Sequence, residues 1–380
     1  AKHFDLESYA RTVEQVDQVN NVKAEVRICN DEDVNAIASR YPEVFCGRVT
    51  MMNGNPAKIE LMPDAVPTSA GHFRTIADAY LEPLKRELDA QVDAGILEKM
   101  DAKPDAAQYW LHPIVVVPKK GSKDIRLCVD FRKLNKFCLR PTNPQKTPLE
   151  TVRSLPKGEV WFFCADALKG YHQIRLDEES KLFSDVSATS EIYTYTSLPM
   201  GYAASQDIFT DRFGNAVDDL VQARVTEDCL ITASDRQMFL KRIDQFFARC
   251  KEHGIVLNAK KTQVGPEVVF GGFKLNKEGY CLDPSLHDAI RKFPPPTTLT
   301  ELRSFMGLIN QTTTFTDKIA ELASPLKELL KSKVDYVWTA HHQTAFEKAR
   351  EELANPRQLA YFDHRRPTRL YTDASRLNGL

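Results

Sequence analysis

Carboxylates at the ends of short apolar segments limit most strongly how this chain can fold. A predicted strand over 160–165 runs directly into Asp166, and the pair Glu227-Asp228 lies within a predicted short hairpin over 224–231. A carboxylate beside apolar side chains costs free energy unless it is paired or bound to a metal ion. We therefore expect the two acidic strand ends to converge on one side of a sheet.

Converging carboxylates are typical of phosphoryl transfer. Mg²⁺ takes one or two protein carboxylates together with substrate phosphates, and two such ions stabilise both the attacking and the leaving oxygen. Acids that merely end strands and cap turns produce the same spacing. The acidic residues by themselves therefore leave both interpretations open.

Hydrophobic periodicity predicts an α+β architecture around these acids. The predicted strands, besides those named above, cover 113–118, 125–131, 193–196, 255–258, 268–275 and 368–372. The predicted helices cover 78–99, 203–220, 238–253, 300–312, 318–330 and 341–355. Four prolines within 141–156 predict an extended connection there.

The charges of the chain are divided between two opposing blocks. The 380 residues hold 51 Lys and Arg against 52 Asp and Glu, so the net charge of −1 gives no sign of a polyanionic partner. Residues 113–146, however, hold 9 basic and 2 acidic residues, whereas residues 1–112 hold 12 and 19. The neutral total therefore conceals a short, strongly basic segment.

Several other classes of protein lack support in the sequence. No apolar run approaches the roughly 20 residues that a membrane span requires, so we expect no membrane partner. The eight cysteines form no C-x-x-C pair and no zinc-ligand spacing, which favours reduced thiols in an intracellular protein. The motifs of P-loop, Rossmann and α/β-hydrolase proteins are absent from the sequence.

A series of short motifs occurs in an order that is specific to one group of polymerases. The chain resembles the reverse transcriptases of Gypsy-type LTR retrotransposons (Metaviridae) and, more distantly, those of retroviruses, over about residues 56–380. The motifs are VPKK at 117–120, RLCVDFRKLNK at 126–136, DALKGYHQI at 166–174, LPMGY at 198–202, FGGF at 270–273, LRSFMGLIN at 302–310, PLKELL at 325–330 and TDAS at 372–375.

The resemblance implies an α+β right-hand polymerase with fingers, palm and thumb. The implied domains are an N-terminal leader or linker after a protease region at 1–55, mainly fingers at 56–150, mainly palm at 151–275, thumb at 276–335, and at 336–380 a connection with the first strand of a truncated RNase H domain. Asp373 matches the first RNase H acid, and the other three acids do not follow it. We therefore expect no RNase H activity from this chain, which resembles a polymerase segment of a longer polyprotein.

The resemblance also assigns catalytic and metal-binding roles. Asp166 matches the family's first catalytic aspartate, and the carbonyl of Ala167 is an expected further metal contact. Glu227 and Asp228 match the last two positions of the family's Y-x-D-D box. The implied cofactor is Mg²⁺, with Mn²⁺ as a substitute, and we expect Glu227 to carry most of the metal binding.

Further residues match the family's contacts to the incoming nucleotide. Lys119 and Arg126 match the cations that grip the triphosphate, a task suited to charge and to the guanidinium fork. Tyr171 matches the aromatic gate that disfavours a 2′-hydroxyl. Met200 and Gly201 match the turn of the nucleotide pocket. A solvated basic hairpin and a core tyrosine are the alternative interpretations.

Primer and template contacts follow from the same resemblance. The expected primer-grip residues are Phe270, Gly271, Gly272, Phe273 and Lys274, with an ordinary hairpin as the alternative. The predicted thumb helix over 300–312, which includes Asn310, would follow the template–primer duplex by its shape. Because the basic segment coincides with the fingers hairpin, we expect binding to weaken steeply with salt.

The sequence departs from the family at the acidic box, which reads V-T-E-D. Asp185 and Glu191 are further departures, where threonine and glycine are usual. Adjacent strand residues point to opposite faces, so only a tight turn brings Glu227 and Asp228 to one site. A decayed copy and a divergent lineage that works with glutamate both fit these substitutions.

The predicted function is RNA-directed DNA polymerisation, in which a primer 3′-hydroxyl is extended with deoxynucleotides. The expected partners are dNTPs and an RNA or DNA template with its primer, and a dimer with a full-length chain is left open. The alternative is a catalytically impaired relative that acts as a nucleic-acid-binding or structural subunit. The expected location is the cytoplasm, within a retrotransposon virus-like particle.

Overall fold

The computed structural model describes residues 26–69, 74–100, 109–118, 124–188, 191–316, 318–331, 335–354, 357–363 and 365–369. These residues form two compact units. The first unit comprises the described residues up to Gln145 together with Phe163–Thr232 and Arg236–Gly265. The second comprises Lys146–Phe162, Ala233–Asp235 and the described residues from Pro266 onwards.

The described residues contain helices and strands in alternation. The helices are α1 Glu32–Ala38, α2 Leu81–Asp93, α3 Arg132–Asn135, α4 Pro148–Arg153, α5 Glu178–Lys181, α6 Ser205–Val217, α7 Arg236–Glu252, α8 Pro284–Arg291, α9 Leu299–Thr312, α10 Ile319–Leu322, α11 Ser324–Glu328 and α12 Ala340–Leu353. The strands are β1 Leu97–Met100, β2 His112–Pro118, β3 Ile125–Val129, β4 Trp161–Asp166, β5 Asp185–Ala188, β6 Glu191–Tyr195, β7 Ala223–Val225, β8 Asp228–Ala233, β9 Gln263–Gly265, β10 Glu267–Phe270, β11 Phe273–Asn276 and β12 Gly279–Leu282.

A five-stranded sheet in the first unit has the order β1-β6-β5-β2-β3. Strands β2 and β3 pair antiparallel, with Ile114 opposite Val129, which confirms the hairpin predicted from the two apolar runs. Strands β2 and β5 pair in parallel, and the other neighbours are antiparallel. The edge strand β3 therefore carries Arg126, one of the basic residues of the segment 113–146.

A four-stranded sheet of order β7-β8-β4-β9 carries the acidic residues. Strand β4 is buried from Phe162 to Asp166, because helix α7 packs aromatic side chains against it. The ring of Phe163 lies 5.6 Å from Phe247 and 6.2 Å from Phe246. An aromatic core behind the sheet thus fixes the strand that ends in Asp166.

Residues 26–55 form part of the first unit. Helix α1 packs against α7, where the guanidinium of Arg236 donates to Asp31 at 2.6 Å and to Asp33 at 2.8 Å. Farther along, the N–H of Met52 donates to the carbonyl of Gln173 at 2.6 Å. The described part of the segment expected to be a leader or linker therefore packs on the rest of the first unit.

The second unit contains the sheet β10-β11-β12 and a helical core. The core is apolar and aromatic, and the ring of Phe305 on α9 lies 4.7 Å from that of Phe346 on α12. Among the described residues of the second unit, no Asp, Glu, Lys or Arg is buried.

Several predicted elements were wrong in extent. The predicted helix over 78–99 ends at Asp93, because Gly95 adopts a φ of 67° and the chain continues as strand β1. The predicted extended connection over 141–156 contains helix α4, which begins with a capping box between Thr147 and Glu150.

Three further predictions also need correction. Residues 255–258 form a single bridge, Leu257 to Ala167, rather than a strand. The strand predicted over 268–275 is two strands, β10 and β11, and the helix predicted over 318–330 is the two short helices α10 and α11. In the strand predicted over 368–372, residues 368–369 are not in a strand and 370–372 lie outside the described residues.

Candidate active site

The acidic hairpin, residues 223–233, presents its carboxylates at a two-residue turn. Strands β7 and β8 pair antiparallel, with Val225 opposite Asp228, so Thr226 and Glu227 form the turn. Thr226 has a φ of 52°, which is strained for a β-branched residue. The tight turn that the sequence required for both acids is therefore present.

Asp166, Asp228 and Lys261 form the centre of the site. Asp166 is the last residue of β4 and 6% exposed, and its carboxylate accepts a hydrogen bond from the carboxyl group of Asp228 when Asp228 is protonated. The Nζ of Lys261 donates to Asp166 Oδ2 at 2.8 Å. The N–H of Asn258, three residues before Lys261, donates to the carbonyl of Asp166 at 2.8 Å. One ammonium thus balances part of the negative charge.

Glu227 lies in the same acidic site but is held from another side. Its carboxylate accepts a hydrogen bond from the N–H of Gly170, and its backbone carbonyl accepts from the N–H of Ala167 at 3.2 Å. A Cβ on Gly170 would lie 2.9 Å from Glu227 Oε2 and 2.7 Å from the ring of Phe209. Because residue 170 has no side chain, the longer side chain of Glu227 can reach the backbone N–H of Gly170.

The electrostatics of the site favour protonation of Asp228 and Glu227. Burial and the charge of Asp166 raise the pKa of Asp228 to about 6, although Lys261 opposes the rise. Burial and Asp166 likewise raise the pKa of Glu227. Burial lowers the pKa of Lys261, but its hydrogen bond to Asp166 and the neighbouring carboxylates raise it overall. The described site is therefore short of positive charge.

A divalent cation fits this donor set by its chemistry. Within the described residues, no group of three or more His, Cys, Asp or Glu is arranged as a ready metal cage. Carboxylate and carbonyl oxygens are nevertheless the ligands of Mg²⁺, and two carboxylates with raised pKa values indicate a deficit of cationic charge. Asp166, Asp228 and Glu227 are thus suited to a metal ion that replaces or accompanies the Lys261 ammonium.

The first unit also contains most of the predicted nucleotide contacts. Tyr171 is in the 3₁₀ turn Gly170–Gln173, with its ring 5.6 Å from Phe209, and burial and the charge of Glu227 raise its pKa. Arg126 is exposed on β3, opposite Val117. Lys119 lies outside the described residues.

The side-chain amide of Asn135, for which no role was predicted, holds the turn at Met200 and Gly201. Gly201 has a φ of 94°, and a Cβ there would lie 3.2 Å from the carbonyl of Val129. Asn135 donates to the carbonyl of Gly201 at 3.0 Å and accepts from the N–H of Ala203 at 2.9 Å. Met200 is 46% exposed, so its side chain is available to a ligand.

The second unit contains the predicted primer and template residues. Phe270 and Phe273 are buried at the ends of β10 and β11, and Gly271 and Gly272 form the turn between them with φ of 57° and 84°. Lys274 pairs with Glu267 at 2.7 Å across the same hairpin. We call residues 267–276 the glycine hairpin. Asn310 is exposed near the end of α9.

The two other departures from the family are accommodated in β5 and β6. Asp185 is fully buried opposite Thr194, whose hydroxyl donates to it at 2.5 Å. Glu191 contacts the side chains of Lys99 and Tyr193. Both acids therefore have partners on neighbouring strands.

Two residues at the site were missed by the sequence analysis. Lys261 contacts Asp166 from a distant part of the chain, and the adjacent basic pair Lys260-Lys261 was the only sequence signal. Gln173 is fully buried and hydrogen-bonded to Val256, 83 residues away. Neither contact follows from local periodicity.

Comparison with known proteins relates the chain to polymerases. Residues 117–275 match the family model described as reverse transcriptase (RNA-dependent DNA polymerase). Residues 338–378 match an RNase H-like domain found in reverse transcriptase. The two matches fall on the region of the acidic hairpin and on the C-terminal part of the chain.

Curated relatives extend the similarity along most of the chain. The retrovirus-related Pol polyprotein from transposon 412 of Drosophila melanogaster is 29% identical over 352 residues, which are 90% of this chain and 28% of the relative. The Gag-Pol polyprotein of woolly monkey sarcoma virus is 27% identical over 88% of this chain and 20% of its own length. The chain thus spans about a quarter of these relatives.

Solved structures share the fold. The foamy viral protease-reverse transcriptase in complex with double-stranded DNA matches with a TM-score of 0.79 and 21% identity, covering 88% of this chain and 59% of that one. The same protein in complex with an RNA/DNA hybrid matches with a TM-score of 0.77 and 22% identity, over 87% of this chain and 45% of that one. The predicted α+β polymerase fold is therefore confirmed. In the described residues no helix has the length and apolar character to cross a bilayer.

Proposed function

We propose that this chain is an RNA-directed DNA polymerase that extends a primer 3′-hydroxyl with dNTPs, because residues 117–275 match the reverse transcriptase family model. The observation that carries the proposal is the meeting of Asp166, Glu227 and Asp228 beside Lys261. Phosphoryl transfer depends on positioning and on neutralised charge rather than on covalent chemistry by the protein. A cluster of carboxylates short of cations suits that requirement.

Asp166, Asp228 and Glu227, with the carbonyl of Ala167, would hold Mg²⁺, for which Mn²⁺ would substitute. Bound there, the metal ions supply stabilisation of the attacking and leaving oxygens. Asp166 and Asp228 would provide the closest pair of carboxylates. Glu227 would add a third negative charge, and its hydrogen bond with Gly170 would hold the turn of the acidic hairpin in place.

The incoming nucleotide would be bound by residues of the first unit. Arg126 and Lys119 would pair with the triphosphate, and Met200 and Gly201 would line the pocket turn. Tyr171 would lie under the sugar, where its ring would clash with a 2′-hydroxyl. The packing of Tyr171 on Phe209 supports this role because it limits the freedom of the ring to move aside.

The primer and template would be bound by the second unit. Gly271 and Gly272 would allow a primer backbone to approach the turn closely, because neither has a side chain. Phe270 and Phe273 would anchor that turn in the core, and Lys274 would add a positive charge. Asn310 on α9 would contact the duplex.

A catalytically impaired relative is the second candidate function. Gly170 already donates a hydrogen bond to the carboxylate of Glu227, and the Lys261 ammonium already pairs with Asp166. Such a chain would bind nucleic acid, or a full-length partner chain, without extending a primer. In either case we place the chain in a Gypsy-type element, within its virus-like particle, as part of a longer polyprotein.

Primer extension separates the two functions. We expect the wild-type chain to extend oligo(dT) on poly(rA) with dTTP and Mg²⁺, and Asp166→Asn to abolish extension while leaving duplex binding intact. Extension should disappear with EDTA and return with added Mg²⁺. A wild-type chain that binds the duplex but never extends the primer would support the impaired relative instead.

A further inference from the structure

The side chain of Gln173 joins two distant segments behind the candidate site. Gln173 is fully buried. Its Nε2 donates to the carbonyls of Leu168 and Val256, both at 2.8 Å, and its Oε1 accepts from the N–H of Val256 at 2.9 Å. Both polar atoms of this amide are therefore used, and they bind three backbone groups of the two segments.

The first segment is the loop 166–174, which carries the nucleotide-facing groups. Gly170 in this loop donates to the carboxylate of Glu227, and Tyr171 packs on Phe209. Lys169 has a φ of 48°, an unfavourable backbone conformation for a lysine. Such a conformation persists only where surrounding contacts determine it.

The second segment, 256–261, carries the groups that hold Asp166. The N–H of Asn258 donates to the carbonyl of Asp166, and the Nζ of Lys261 donates to its carboxylate, both at 2.8 Å. The N–H of Leu168 donates to the carbonyl of Val256 at 2.9 Å. The Gln173 amide thus completes the connection between the loop bearing Tyr171 and the segment bearing Lys261.

We propose that Gln173 is a positioning residue that fixes Tyr171 relative to the Asp166–Lys261 segment, and thereby sets the affinity and the sugar preference for the incoming nucleotide. The proposal rests on the function proposed above. A gate that excludes a 2′-hydroxyl discriminates only while its ring is held in place, since displacements of about 1 Å change such contacts strongly. Loosening the loop should therefore weaken dNTP binding more than ribonucleotide binding.

A purely structural role would make a different prediction, and Asn35 provides the comparison. Asn35 is also a buried amide of the first unit. Its Oδ1 accepts from the N–H groups of Ile28 and Cys29 at 2.9 and 3.2 Å, and its Nδ2 donates to the carbonyl of Cys29 at 3.0 Å. Asn35 and Gln173 each bind three backbone groups, but the groups bound by Asn35 lie outside the proposed nucleotide site.

The test compares Gln173→Leu with Asn35→Leu in nucleotide binding. Each protein is bound to an RNA template with a dideoxy-terminated primer in Ca²⁺, and the dissociation constants of dTTP and UTP are measured. We expect Gln173→Leu to weaken dTTP binding about tenfold, the scale of one or two lost hydrogen bonds, with a smaller change for UTP. Asn35→Leu should leave both constants within about twofold, although both variants lose stability.

A second variant covers the case in which Gln173→Leu does not fold. Gln173→Asn keeps the amide but shortens it by one methylene, so it cannot serve Leu168 and Val256 together, and we expect about a threefold loss for dTTP. Unchanged selectivity in the folded Gln173 variants, or an equal change in Asn35→Leu, would overturn the proposal.

The same assay separates failure of this proposal from failure of the proposed function. A wild-type chain that binds dTTP but extends no primer refutes the proposed polymerase, and the dissociation constants still decide the role of Gln173. A wild-type chain that binds neither nucleotide overturns both.

Discussion

Two hairpins, one in each unit, make two-residue turns by different means. The glycine hairpin uses Gly271 and Gly272, for which positive φ has no steric cost. The acidic hairpin makes its turn with Thr226 and Glu227, and Thr226 at a φ of 52° carries strain of about 1–3 kcal/mol. The glycine turn has little backbone strain. The acidic turn is strained and therefore lowers the stability of the fold, but it places two carboxylates side by side.

The same contrast extends to the surroundings of each hairpin. Thr226 and Lys169 are the two non-glycine residues with positive φ in the described chain, and both border the carboxylates. Asp166 is buried there and hydrogen-bonded to a second acid. The described core of the second unit is apolar instead. Both strained non-glycine residues and a buried pair of neighbouring carboxyl groups therefore lie where we place the chemistry, as is usual at functional sites.

The largest effect should come from removing one carboxylate of the acidic hairpin. Asp228→Asn should lower the primer-extension rate about a thousandfold, the scale of losing a charged group at a preorganised site. The free energy of unfolding should stay the same or rise, because a buried charge next to Asp166 is removed. Rates from single-turnover extension, with urea unfolding, test this contrast.

Asp177→Asn is the matched control for that substitution. Asp177 is also a carboxylate of the first unit, but it caps helix α5 by accepting from the N–H of Ser180 at 2.8 Å. We expect its activity to stay within about twofold of the wild type. Equal losses in the two variants would contradict the assignment of the acidic hairpin as the catalytic one.

Acid should destabilise the first unit more than the second. Burial lowers the pKa of both His112 and His172 to about 4, so the unfolded chain takes up these protons first as the pH falls. Stability is therefore complete above pH 6.5 and is lost towards pH 4, by about 3 kcal/mol for each histidine. The described histidines of the second unit, His287, His341 and His342, are exposed or half-buried.

Asp228 opposes this loss, because its raised pKa makes the folded state take up a proton more readily. The measurement is therefore made in Asp228→Asn, with hydrogen exchange at pH 6.5, 5.5 and 4.5 reporting each unit. Adding His172→Phe should remove about half of the acid-induced loss in the first unit. An equal response of both units to acid would count against the contrast.

The smallest effects should come from exchanging the turn residues. Thr226→Gly should raise the free energy of unfolding by about 1 kcal/mol through released strain. Gly272→Ala should lower it by about 1 kcal/mol, because its φ of 84° disfavours alanine although the Cβ would meet no atom within 4 Å. Urea unfolding gives both values.

Gly307→Ala is the control for the glycine exchange. Gly307 is helical, in α9, and a Cβ there would also meet nothing within 4 Å. Alanine should therefore stabilise that helix, by about 1 kcal/mol. A loss of stability in Gly307→Ala would mean that the positive φ of Gly272 does not explain the loss of stability expected for Gly272→Ala.

The sequence predicted those parts of the site that depend on local pattern. Short apolar runs identified the strand ending in Asp166 and the hairpin around Glu227 and Asp228, and both are present. The resemblance predicted a hairpin around Gly271 and Gly272, whereas the strand predicted over 268–275 ran through these glycines without a break. Resemblance to a family, rather than pattern, supplied the nucleotide and primer residues, and their roles stay predictions.

The contacts that cross the chain could not be predicted. Lys261 reaches Asp166, and Gln173 reaches Val256, only because the sheets and turns fold those segments together. The hydrogen bond from Gly170 to Glu227 is of the same kind. This hydrogen bond changes the interpretation of the V-T-E-D box. It shows that the fold supplies a backbone N–H for the carboxylate of Glu227, so the site accommodates a glutamate at this position.

The most direct test of this account is the rate of primer extension by Glu227→Asp beside the wild type. If the site is built around glutamate, the shorter carboxylate cannot reach the N–H of Gly170, and kcat/KM for dTTP should fall about tenfold, which corresponds to about 1.4 kcal/mol. A Glu227→Asp variant that extends the primer faster than the wild type would contradict the account, because it would show that glutamate damages the site.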